Sequence, residues 1–284
     1  MVDGVLRLEG DPRELTPEDL TRLFPGGRDA VSDSALIRAV IWWVKEAIAA
    51  GREPPVGGNL RTFWYRYLKP IMDGVAGINP TTGYTRLAVE LGDLVLRRQV
   101  MRYSDLDLTD ENWEHRRIGT RRPEVIVYAE QSGWMRDLRH LHEEVGCTVV
   151  CWQGQPSGIT SEFTARHVLD AMDVPRPAEL VSLTDYDPAG DIIMASFEEQ
   201  LTACGLTVAS NHRIVTPECF SAAEREMHAM PLTPRGKSQT TIFARWLTRT
   251  GGVDGSPIAL SSEALGYERL RPVLVDHLAT LGAP

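Results

Sequence analysis

Cysteine is scarce: the 284 residues hold four, Cys147, Cys151, Cys204 and Cys219. None forms a Cys-x-x-Cys pair or stands with a histidine at zinc spacing. That excludes a disulfide framework and a thiolate zinc module, and makes reduced cysteines of a cytoplasmic protein the expectation. No apolar run reaches the ~20 residues a bilayer-spanning helix needs. The start, Met-Val-Asp-Gly, lacks the basic and apolar parts of a secretory signal. Glycine-rich phosphate loops of the GxGxxG or P-loop type are missing, which argues against an ATP site in this chain. Internal repeats and low-complexity tracts are missing too. Positive charge is in short supply: 30 Lys and Arg face 39 Asp and Glu, for a net charge of −9. That argues against a general nucleic-acid coat.

What is present is an ordinary globular composition, with 43% hydrophobic and 24% charged residues. The length suits two modest domains. Charge is uneven: residues 1–60 carry 7 basic and 10 acidic side chains, 61–122 carry 11 and 8, and 123–284 carry 12 and 21. A basic middle block beside an acidic one is what a DNA-binding module joined to a metal-binding module would give. Solvated surface charge alone gives it as well.

Two stretches in the acidic block carry the clearest chemical pattern. Glu124–Glu130 is an apolar run ending in a carboxylate, and Leu180–Asp187 is another ending in Asp185-Tyr186-Asp187. A buried strand that ends in an acid delivers it to the C-terminal edge of a parallel sheet, where α/β proteins bind ligands. Glu130, Asp185 and Asp187 would then share one rim. Three hard oxygen ligands suit Mg2+. Against this, acids after strands are commonly helix caps, and Asp187 before Pro188 reads as such a cap. Asp185 has no evident capping partner.

Around this core, strands are expected at 125–129, 148–152, 180–183 and 213–215, and helices at 134–144, 161–172 and 188–204. The alternation predicts an α/β fold with a mostly parallel sheet. A helix at 240–250, a last strand at 258–260, a short helix from Ser262 and a helix at 271–281 follow. Ahead of it, residues 1–30 read as an arm with one short helix, Thr16–Leu23, with Thr16 as its cap. Helices follow at 32–50, at 60–68 (ended by Pro70) and, after a turn at Pro80–Gly83, at 85–101. Ser104–Trp113 and Arg116–Ile118 would add an extended pair, giving a winged-helix-like DNA-binding domain over 31–120. Arg66, Arg97, Arg98, Arg102, Arg116, Arg117, Arg121 and Arg122 are its candidate phosphate contacts. In Arg61-Thr62-Phe63-Trp64-Tyr65, Arg61 stands four residues before Tyr65 on one helix face, a cation beside a phenol. Aromatic residues at this density more often pack a core.

Taken in order, these pieces resemble a known family. Glu130 and Asp185-Tyr186-Asp187-Pro188-Ala189-Gly190 are similar to the metal-binding motif of Toprim domains. Gly154-Gln155-Pro156-Ser157 with Thr160, Arg213–Glu218 and Glu263-Ala264-Leu265 resemble segments of the topoisomerase VI A subunit and its meiotic double-strand-break relatives. The resemblance covers roughly residues 55–280. It implies a Toprim, Rossmann-like domain over 121–284 and Mg2+ on Glu130, Asp185 and Asp187. Arg61–Tyr65 looks like that family's motif for the tyrosine that attacks the DNA backbone, with Tyr65 as nucleophile, Arg61 as its phosphate-binding neighbour and Tyr67 as the alternative register. Thr62 departs from the usual acid, Trp64 from the usual Tyr or Phe, and Gln131 stands where relatives often carry Lys. The implied activity is DNA strand breakage through a tyrosyl–DNA bond, by a homodimer on double-stranded DNA, with a separate ATPase subunit if it works as a topoisomerase. Two other functions fit the same residues: a metal-dependent nuclease that uses water, and a DNA-binding protein without catalysis.

Overall fold

The computed structural model describes residues 5–23, 33–74, 80–234 and 236–281. The chain divides into two compact units, Met1–Glu111 and Asn112–Pro284. No helix among the described residues is long and apolar enough to cross a membrane.

The first unit is helical. Helix α1 spans Pro17–Leu23 and starts on proline, with Thr16 Oγ1 accepting from Asp19 N at 3.2 Å. Helix α2 (Asp33–Ala49) buries Leu36, Ile37, Val40, Ile41 and Val44, an apolar stripe at helical spacing. The short α3 (Leu60–Phe63) is capped by the Asn59 side chain, which accepts from Thr62 N at 3.0 Å. Pro70 does not stop the chain. A five-residue π-turn, Trp64–Leu68, passes directly into α4, Lys69–Gly74. Widening the turn lets a proline enter at the loss of one hydrogen bond rather than the helix. The expected turn at Pro80–Gly83 is instead the start of α5, Pro80–Gly92, which a second π-turn extends to Arg97. Gly83 is needed there for space: a Cβ would come within 2.6 Å of the buried Trp64 ring. The arm is tied to its own unit by Arg13, which pairs with Glu53 and lies 5.5 Å from the centre of the Tyr67 ring. The Pro25-Gly26-Gly27 part of the arm and Ser32 lie outside the described residues.

The second unit is α/β. In chain order it contains β1 (Arg116–Arg117), β2 (Arg122–Ala129), α6 (Met135–Val145), β3 (Cys147–Cys151), α7 (Gly158–Ala171), β4 (Ala178–Ser182) and α8 (Pro188–Ala203). Then come β5 (Val208–Arg213), α9 (Ala222–Met227), β6 (Met230–Pro231), α10 (Lys237–Thr250), β7 (Ile258–Ala259) and α11 (Tyr267–Thr280). The main sheet has the order β1-β3-β2-β4-β5 and is parallel except for β1. Side chains alternate across it. Val125, Val127 and Ala129 join Leu138, Leu141, Leu270 and Leu274 on one face, while Ile126 and Tyr128 join Ala165, Val168, Ile193 and Phe197 on the other.

Two expectations change here. Arg116–Arg117 forms no wing; it pairs with Val149–Val150 as the antiparallel edge of this sheet. The strand expected at 213–215 runs earlier, over Val208–Arg213. It is the opposite edge strand, half exposed, so its polar residues hid it from a search for apolar runs.

Candidate active site

The central strand β2 is paired on both sides, with Val127 opposite Val149 and Val181, so it accepts only a buried apolar run. Glu130 is the first residue beyond it and is itself buried. Its Oε1 accepts from Asp185 N at 3.0 Å, which joins the ends of β2 and β4. Burial pushes the Glu130 carboxyl up to about 7; the Asp185 N–H works against this, and the neighbouring Asp185 and Asp187 charges add to it.

Asp185 does have a partner, but a distant one. An antiparallel bridge between Tyr186 and Leu260 carries the chain after β7 back to this edge. Asp185 Oδ1 there accepts from Ser262 N at 2.7 Å, Ser262 Oγ at 3.0 Å and Ser261 Oγ at 3.3 Å. Ser262 is fully buried. Asp187 caps α8 as expected, accepting from Gly190 N at 2.6 Å, with Pro188 at the first helical position. Its pKa is nonetheless raised, because burial outweighs that hydrogen bond. Gly190 is fixed by contact: a Cβ would stand 2.2 Å from the Asp185 carbonyl oxygen. The spacing Asp-x-Asp-Pro-x-Gly is thus a folding solution in which a capped helix is pressed onto the preceding strand end.

Arg213, at the end of β5, supplies the rim's partly buried cation. Its guanidinium donates to the Asp185 carbonyl and, at 2.8 Å, to Asp191 Oδ1, and lies 5.8 Å from the centre of the Tyr186 ring. Burial lowers its pKa, while Asp187 and Glu130 favour its charged form. Asp191 is shared with Arg249. Glu130, Asp185, Asp187 and Asp191 therefore face Arg213 and Arg249, which leaves the rim two negative charges in excess when all are ionised. Hard oxygen donors with that excess are the donor chemistry that a divalent cation such as Mg2+ takes. In this arrangement no group of three or more His, Cys, Asp or Glu among the described residues is gathered tightly enough to hold one.

In the first unit Tyr65 sits on the π-turn, half exposed, with the Arg61 guanidinium 5.6 Å from its ring centre. Tyr67 is buried, and donates to Glu53 Oε2 at 3.1 Å; burial raises its phenol to about 12. Thr62 packs against Gly58, where a Cβ would meet its Oγ1 at 2.5 Å.

Most of the candidate DNA-binding arginines have partners within the protein. Arg66 donates to the Pro55 carbonyl at 3.3 Å, and Arg97 and Arg98 pair with Asp93 at 2.9 and 2.6 Å. Arg116 is buried near Phe163, and Arg117 donates to the Glu114 carbonyl at 3.1 Å. Arg121 closes the C-terminus of α6 through the Glu144 carbonyl, and Arg122 closes that of α11 through Leu278 O at 2.9 Å and Leu281 O at 3.3 Å. Arg102 is exposed. The Gly154–Thr160 loop is likewise structural in part: Ser157 caps α7, accepting from Thr160 N at 3.1 Å.

The sequence pattern singled out Glu130, Asp185 and Asp187 but gave no part in the site to Arg213, Asp191 or Ser262, the last read only as the start of a short helix. Arg213 opens the Arg213–Glu218 segment, Ser262 directly precedes Glu263-Ala264-Leu265, and Asp191 follows the Asp-x-Asp-Pro-x-Gly motif. Compared with models of known protein families and with curated proteins, the chain matches none.

Proposed function

We propose that this chain is a magnesium-dependent DNA-cleaving transesterase, similar to the A subunit of topoisomerase VI, with a Toprim-like second unit. The observation that carries the reading is the acid rim at the C-terminal edge of a parallel sheet: three carboxylates on two strand ends, Glu130 buried and Asp185 and Asp187 partly so, with an excess of negative charge. Glu130, Asp185 and Asp187 would hold Mg2+, which would neutralise the scissile phosphate and the charge that develops on it. Ser262 and Ser261 orient Asp185, and Arg213 holds the α8 entry in place through Asp191 and the Asp185 carbonyl.

Tyr65 is the nucleophile in this reading. Its oxygen attacks phosphorus and loses its proton, the phosphotyrosyl bond forms, and the strand's P–O bond breaks to leave a free hydroxyl end. Arg61 holds the phosphate beside it. The phosphoester is conserved, so the reverse attack reseals the strand without ATP. In the family this chain resembles, the tyrosine and the acid rim meet across a dimer, so a homodimer on duplex DNA is the expected form, with an ATPase subunit needed only for strand passage.

Mixing protein, supercoiled plasmid and Mg2+, then quenching with detergent, tests this directly. Wild type should leave a covalent protein–DNA adduct; Tyr65→Phe and Asp185→Asn should leave none. Hydrolysis by water is the second reading, favoured by a rim whose acids and whose cation Arg213 all lie in the second unit. Cleavage without adduct that survives Tyr65→Phe would select it. Binding without cleavage would select a DNA-binding role alone.

A further inference from the structure

The acidic half of the chain contains one long acid-free stretch. From Met227 to Val253 there is no Asp or Glu, while Arg235, Lys237, Arg245 and Arg249 all fall within it. The chain has no longer interval without a carboxylate. Most of this stretch is helix α10. Lys237, Thr241, Arg245 and Arg249 follow one another at four-residue intervals, so they form a single stripe along about 18 Å of helix. All four are exposed. The opposite face is anchored by Trp246, which is buried and packs edge-on against Tyr186 at 5.5 Å.

The stripe borders the acid rim. Arg245 and Arg249 line a cleft of about 510 Å³ with Pro188 and Asp191 of the first turn of α8. On the other flank of α10, Gln239 and Phe243 line a cleft of about 440 Å³ with Asp187. The carboxylates on the first cleft are engaged within the protein: Asp191 by Arg213 and Arg249, Glu198 by Asn211 at 3.1 Å. Lysine, arginine and threonine are among the side chains that contact DNA phosphates.

We infer that α10 is a track for the backbone of double-stranded DNA, with Lys237 and Arg245 holding phosphates of the strand that passes the Asp187 rim. The reading above enters only in naming duplex DNA as the polyanion.

The test is fluorescence anisotropy of a labelled duplex with the full chain, across about 50 to 200 mM salt. The double variant Lys237→Gln, Arg245→Gln is compared with Arg136→Gln, Arg176→Gln, which removes the same charge from exposed positions away from α10. Losing two phosphate contacts should flatten the plot of log affinity against log salt by ~1.8 and weaken low-salt binding at least ~10-fold. The control pair should match wild type. Equal effects in both pairs, no effect in the α10 pair, or no duplex binding by wild type would each overturn the inference. Cleavage is scored separately. Duplex binding through α10 without any cleavage would refute the proposed chemistry and leave the track standing. Cleavage by wild type with binding indifferent to the α10 pair would do the reverse.

Discussion

At the scale of single residues, the site is governed by two positions that tolerate little change. Gly190 has a backbone carbonyl where its Cβ would go, and the atoms of a packed strand end and a helix start cannot both withdraw. Gly190→Ala should therefore destabilise the protein by ~1–3 kcal/mol, read from a urea melt, with wild-type secondary structure by circular dichroism. Glu130 couples the site to pH. Unfolded, its carboxyl titrates near the ordinary 4.5; folded, near 7. Between those values the folded state keeps a proton that the unfolded state has lost. Its contribution to stability is thus fullest below 4.5 and is lost as pH rises to about 7. Glu130→Gln should remove that component of the pH-dependence of the melting temperature. On the proposed function, Mg2+ would reverse the sign. A cation on this carboxylate displaces the proton, so the stabilisation Mg2+ gives should grow between pH 6 and 8, with apparent affinity falling roughly 10-fold per pH unit below 7. Stabilisation by Mg2+ that is flat with pH would remove Glu130 from the ligand set.

At the scale of elements, the parallel sheet was legible because its inner strands are apolar runs between glycine- and proline-marked loops. The rim acids were legible because an acid ending such a run stands out. Elements set by non-local pairing were not. Val208–Arg213 is polar because one side is open to solvent, and Arg116–Arg117 is a strand only because Val149–Val150 accepts it. Ser262 reaches Asp185 across 77 positions, through a bridge at Leu260 that no local pattern announces. The π-turn at Trp64–Leu68 hid behind Pro70, which reads as a stop. The arginines present the converse case. A cation in a basic stretch reads as a phosphate ligand, yet Arg122 spans from β2 to the last carbonyls of α11. Arg122→Ala should cost ~1–3 kcal/mol of stability, since it leaves those carbonyls without their charged donor. Arg122→Lys should recover only part of this, because one ammonium cannot reproduce the two-pronged contact.

At the scale of the whole molecule, the proposed chemistry divides between two units of one chain, Tyr65 in the first and the acid rim in the second. A homodimer can combine them within a chain or between chains, and mixing two inactive variants separates these cases. In a heterodimer of Tyr65→Phe with Asp185→Asn, pairing within a chain gives two dead sites: one lacks its nucleophile and the other its metal ligand. Pairing between chains gives one doubly dead site and one intact site, built from the tyrosine of the second variant and the rim of the first. Such a dimer cuts one strand only. If the variants are co-refolded in equal amounts and assort at random, half of the dimers are mixed, each with one working site of two. The adduct yield should then recover to roughly a quarter of wild type, and the plasmid product should be nicked circles in place of linear DNA. Neither variant alone should give adduct. No recovery in a mixture shown by mass to contain heterodimers would place the tyrosine and its metal within one chain. Recovery with linear product would require two intact sites per dimer, which neither arrangement provides, and would remove Tyr65 or Asp185 from the chemistry.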